Sequence, residues 1–172
     1  HTMTKLDVPG ETLMGQAGEA LARRTEQMLS QSGGRRVAII CGKGNNGGDG
    51  YASAVHLQSA DAEISLFSSV SDDKIDGDAR VFYEKCAAGR LEMNFPDEPN
   101  DVNLSGFDLI MDGLLGTGIK GKVRQDAARW IDRINACGVP VLSIDIPPAF
   151  VRTAVKSSEF LCRPRLQLQW VS

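Results

Sequence analysis

The chain has 172 residues, 42% of them hydrophobic and 24% charged, and a formal net charge of −3. These values describe a single globular domain able to bury its own core. A pI near 5.4 offers no basic footprint for nucleic acid, and no apolar run is long enough to span a bilayer.

The opening "HTMTKLDVPG" has no basic stretch followed by an apolar one, so no secretory leader is read there. Its first residue is His, not Met, as expected of a fragment or of a chain carrying a cloning remnant. Cys41, Cys86, Cys137 and Cys162 contain no C-x-x-C pair. They read as small buried hydrophobes in a reducing, cytoplasmic setting.

In chain order, Glu11 to Ser32 predicts a helix with Met14, Ala17, Leu21 and Met28 along its apolar stripe, closed by Gly33-Gly34. "RVAIIC", Arg36 to Cys41, is short and β-branched, as suits a strand buried on both faces. A glycine-rich turn, "GKGNNGGDG" (Gly42 to Gly50), leads into a helix over Tyr51 to Ser59, and Glu63 to Ser68 forms a second strand. Asp76 to Ala88 is helical, with Ala79, Phe82, Tyr83 and Cys86 on one side. Phe107 to Met111 is a third strand, followed by a second glycine-rich loop, "DGLLGTGIKGK". Ala127 to Cys137 is helical, with Trp130, Ile131 and Ile134 inward, and Val139 to Ile146 is a fourth strand. Strands alternating with helices define an α/β class: a three-layer α/β/α, Rossmann-like domain with a mostly parallel sheet. Ligands of such sheets bind beyond the carboxyl ends of the strands, so the loops at Gly42–Gly50, Asp112–Lys122 and Asp145 onward should converge on one crevice.

The first loop satisfies G-x-G-x-x-G, but a dinucleotide fingerprint also needs an acid at the end of the second strand, which here reads Ser68-Ser69, with Asp72 and Asp73 late. No Gly-Lys-Ser/Thr closes it as a Walker loop. A plain strand-to-helix turn with Asp49 as helix cap is a further reading. Against that stand the oxygens of Asn45, Asn46 and Asp49, with Asp112 at the tip of the third strand, which suit a weakly held cation or a polyhydroxylated ligand. His56, two turns into its helix, reads as a packing or interface residue.

"GKGNNGGDGY", "DLIMDGLLGTGIKGKVR" and "VLSIDIP" resemble three signature loops of the NAD(P)HX epimerase, or YjeF N-terminal domain, family. "VPGETLMGQAG" is similar to that family's opening helix motif, with Gly15 where an acid is common. The resemblance runs from about Val8 to Pro147, making residues 1–147 the domain. It implies an isomerase of nucleotide repair that interconverts the R and S epimers of NADHX and NADPHX. It also implies a homodimer, a bound potassium ion and a companion dehydratase, fused or separate. Carried over by position, Asn45, Asn46, Gly47, Gly48 and Asp49 would bind substrate, and Asn46 and Asp112 would hold potassium. Gly116, Thr117, Gly118, Ile119, Lys120, Gly121 and Lys122 would wrap the diphosphate. Asp145 would contact the reacting ring and act as the catalytic acid–base, with Asp49 as second candidate.

Residues 148–172 form a diverged or aberrant tail. Pro148 stands where the family has the serine expected to complete the potassium shell, and Ala149 where it has glycine. Codons consistent with this segment, read in a shifted frame, spell "SGLCADSG", which restores the family pattern; a frame shift after Pro147 is the expected origin. Two rival functions remain: a non-catalytic binding or scaffold module of the same fold, favoured by Pro148, and a dehydrogenase using the glycine loop.

Overall fold

The computed structural model describes residues 8–116 and 125–144. Within them, β1 (Arg36–Cys41), β2 (Glu63–Ser68), β3 (Met93–Asn94), β4 (Leu109–Gly113) and β5 (Val141–Ser143) form one sheet in the order β3-β2-β1-β4-β5. Every neighbouring pair is parallel. Helices α1 (Gly10–Ser32), α2 (Asn45–Leu57), α3 (Gly77–Ala88) and α4 (Gln125–Ala136) are the described α-helices.

Two cores flank the sheet. Val37, Ile39 and Cys41 of β1 pack with Met14, Tyr51, Leu57 and Phe82 from α1, α2 and α3. Ala38 and Ile40 face the other way, against Trp130 and Ile134 of α4 and Val102 and Leu104 of the preceding connection. Alternate residues of one strand thus feed opposite layers, and β1 is buried throughout beyond Arg36. The three-layer α/β/α expectation is borne out.

The structure moves several expected boundaries. α2 begins at Asn45, not Tyr51, so the residues Asn45 to Gly50 lie within the helix and not in a loop. Gly44, at φ 107°, makes the turn that permits the early start. Gly47 and Gly48 are poor helix formers, but tertiary packing requires them: a Cβ on Gly47 would stand 1.9 Å from the Gly42 carbonyl oxygen. Asp49, the fifth helical residue, is therefore not the cap; Gly44 occupies that position. The buried stripe of α1 is Met14, Gly18, Ala22, Thr25 and Leu29, rotated from the expected one because glycine and threonine carry no apolar signature. Ala17, Leu21 and Met28 are half-buried beside it.

β3 has no sequence signature, because two residues show no period. β4 begins at Leu109, since Asp108 is occupied at the head of β1: its carboxylate accepts from Arg35 N and Arg36 N at 2.9 and 2.8 Å, and its own N donates to Arg36 O. No helix among the described residues is long and apolar enough to cross a membrane.

Candidate functional site

The strand order places a switch point between β1 and β4: the chain leaves β1 toward β2 and later returns on its other side to form β4 and β5. Loops diverge at the carboxyl end of such a gap and leave a crevice there. Asn46 lies at this point, on the first turn of α2.

Asn46 is 9% exposed. Its Nδ2 donates to Leu115 O at 2.8 Å and to Ile144 O at 3.2 Å. One side chain therefore ties the turn after β1 to the segments after β4 and β5. Backbone contacts close the same junction: Gly42 N donates to Gly113 O at 3.0 Å. A Cβ on Gly42 would come within 2.2 Å of Leu114 O, and one on Gly113 within 2.9 Å of Asn46 O. Glycine is required at these positions by the approach of backbone to backbone. The convergence of three strand ends expected from sequence is thus present, as far as the described residues reach.

Asp112, the fourth residue of β4, is half-buried, and its Oδ1 accepts from Leu114 N at 3.1 Å, which shapes the start of the next loop. Asp49 is half-buried, Asn45 exposed, and Gly47 and Gly48 buried. Gly116 lies over Asn46, where a Cβ would stand 2.8 Å from Oδ1. Thr117, Gly118, Ile119, Lys120, Gly121, Lys122, Asp145, Pro148 and Cys162 lie outside the described residues.

Neighbouring groups narrow the chemistry. Cys41 ends β1 beneath the junction with no exposed surface, and burial pushes its thiol well above the ordinary 9.0. Burial likewise raises Cys86 to about 12. Both are protonated hydrophobes at neutral pH and cannot serve as nucleophiles. Cys41, Cys86 and Cys137 are free. His56 Nε2 lies 3.2 Å from Gly15 O, a bond between α2 and α1, which matches its reading as a packing residue. Sequence reasoning missed the carbonyls of Leu115 and Ile144 as parts of the site; a backbone oxygen has no residue-type signature.

The fold and this junction define a Rossmann-like α/β domain in which the Asn46 amide and closely packed backbone join the ends of β1, β4 and β5. The chain belongs to the YjeF-related protein N-terminus family, whose model matches residues 10–158. It is 34% identical over 146 residues to the NAD(P)H-hydrate epimerase of Rhodopirellula baltica, covering 84% of this chain and 59% of that protein. It is also 34% identical over 146 residues to the bifunctional NAD(P)H-hydrate repair enzyme Nnr of Escherichia coli, covering 82% of this chain and 27% of the relative. The chain thus spans little more than half of the first relative and under a third of the second. The crystal structure of yeast ynu0 superposes with a TM-score of 0.73 at 22% identity, covering 84% of this chain and 64% of the yeast one, which establishes the shared fold.

Proposed function

We propose that the chain is an NAD(P)HX epimerase, acting on the R and S epimers of hydrated NADH and NADPH. The observation that carries this reading is the buried Asn46 amide joining the ends of β1, β4 and β5, in a chain 34% identical to a protein named for that activity.

The chemistry needs little from the protein. The hydroxylated ring carbon of the substrate is bonded to an electron-rich ring nitrogen. That nitrogen's lone pair forms a C=N bond as the C–O bond breaks, and the departing hydroxide takes a proton from a carboxylic acid to leave as water. Water then adds to the opposite face, the C=N pair returns to nitrogen, and the carboxylate recovers its proton. Asp145 fills the acid–base role, and its negative charge stabilises the intermediate cation. Asp49, on the second turn of α2, is the second candidate. Substrate binding falls to Asn45 to Asp49 and to Gly116 to Lys122, whose backbone donors and lysines suit a diphosphate.

A potassium ion suits this donor set. Asn46 and Asp112 would hold it, one a neutral amide and one a carboxylate, matching the hard-oxygen preference and modest charge requirement of a monovalent cation. When bound, it adds positive charge and rigidity where the loops meet. The free thiols agree with a reducing, cytoplasmic setting. A homodimer and a dehydratase acting on one epimer complete the proposed context.

Replacing Asp145 with Asn tests the role directly: kcat should fall by about 10²- to 10⁴-fold with the substrate Kd little changed. Retention of full turnover would remove Asp145 from the mechanism. A binding-module reading is favoured by one observation, Pro148 in place of an oxygen-bearing serine. It requires that the chain bind NADHX without interconverting the epimers. We attribute the tail beyond Pro147 to a shifted reading frame; an encoding DNA sequenced without any insertion or deletion across this region would contradict this.

A further inference from the structure

We infer that Met14, on α1 and outside the crevice, is a positioning residue for the site, acting through Gly48. The activity readout of this inference rests on the epimerase reading; its structural readout does not.

The first turn of α2 is held from two sides. On the sheet side the contacts are backbone: Gly47 against Gly42 O, and Asn46 O against Gly113. On the outer side it meets α1 and α3. A Cβ on Gly48 would stand 2.5 Å from Met14 Cε, 2.6 Å from Met14 Sδ and 3.1 Å from Ala79 Cα. The thioether therefore lies directly on the Gly48 backbone. Met14 is 5% exposed and sits in the core of the α1–α3 layer. A long, unbranched side chain fills the space left by a glycine and adapts to its outline.

This contact controls Asn46 because of how near its bonds are to their limits. The bond to Ile144 O is 3.2 Å, at the long end for N–H···O, while that to Leu115 O is 2.8 Å. The longer bond has the less room to lengthen, so a shift of the turn by a few tenths of an ångström takes it past hydrogen-bonding range first. Shortening Met14 opens space on the α1 side, and close packing resists such a shift only while the space is filled. Asp49 rides on the same helix, one residue beyond Gly48, and moves with it.

The test compares Met14→Ala with Leu29→Ala. Leu29 is a 4% exposed residue on the far end of the same helix, and its truncation also leaves a core cavity without touching the α2 turn. Met14→Val serves as the milder variant should Met14→Ala not fold, and Met14→Leu restores bulk. Backbone hydrogen exchange at Gly48, whose N donates to Gly44 O at 2.9 Å, should accelerate about tenfold more in Met14→Ala or Met14→Val than in Leu29→Ala at matched distance below Tm. Epimerisation kcat should fall by about 10- to 100-fold in the Met14 variants. Leu29→Ala should retain kcat, and Met14→Leu should recover both properties. Equal exchange at Gly48 in the Met14 and Leu29 variants would overturn the inference. Wild-type chain without epimerisation would sink the epimerase reading alone, with the exchange comparison still deciding the role of Met14.

Discussion

Asn46 concentrates the site in one amide. Its two N–H groups serve carbonyls of two different loops, so truncation leaves Leu115 O and Ile144 O without that donor. Asn46→Ala should cost about 1–3 kcal/mol in urea unfolding. Asn46→Asp should cost more, because a carboxylate oxygen would then face both carbonyls; equal midpoints for wild type and Asn46→Asp would contradict the assigned geometry. Asn46 was legible in sequence as a candidate, since two consecutive asparagines in a glycine turn call for explanation. Its partners were not, because carbonyls contributed by Leu115 and Ile144 look like any other backbone. Asp108 was likewise invisible, being read as part of a strand. Backbone donors Arg36 N and Arg35 N hold its carboxyl below the ordinary 3.8. The folded state thus prefers the ionised form, and the contribution is full above the unfolded value and lost as pH falls through the lower folded one. Asp108→Ala should therefore be less stable than wild type at pH 6, with the gap narrowing below pH 3.8. A constant difference in Tm across that range would refute the assignment.

The pairing of α1 with α2 sets where the site-bearing turn can lie. At Gly18 a Cβ would come within 2.5–2.6 Å of Ala52 Cβ and carbonyl carbon and 2.8 Å of Ser53 N. At Gly15, three residues earlier, the nearest atom is Phe82 Cζ at 3.4 Å, ordinary contact. Two glycines of one helix therefore carry opposite expectations. Gly15→Ala should stabilise by about 0.5–1 kcal/mol by removing glycine from a helix interior. Gly18→Ala should destabilise by about 1–3 kcal/mol by forcing the helices apart. Thermal unfolding of the two variants checks both signs. This difference explains why the α1 helix was readable but its buried face was not: Gly18 and Thr25 are buried for their size and fit, and neither contributes to a hydrophobic pattern. α2 shows the reverse failure. Glycines and asparagines argued for a loop by propensity, yet close contacts with Gly42, Met14 and Ala79 hold those residues in a helix.

Across the whole molecule, alternation of short apolar segments with helical patterns was enough to specify a parallel α/β sheet, while β3, two residues long, carried no such pattern. The order β3-β2-β1-β4-β5 then decides which loops meet. Signature loops far apart in sequence, at Gly42 and Asp112, come together only because β1 and β4 are neighbours, with Ile40 beside Asp112 in register. The family model matches residues 10–158, and the proposed acid–base role of Asp145 and diphosphate binding by Gly116–Lys122 are assigned by position in sequence. The most direct measurement is the rate at which purified 172-residue chain interconverts S- and R-NADHX in potassium buffer. The same chain with SGLCADSG following Pro147 would be assayed beside it. Epimerisation above the uncatalysed rate is expected from both, and faster from the chain with the restored serine. Two folded chains that leave the epimers at the uncatalysed rate would contradict the epimerase assignment.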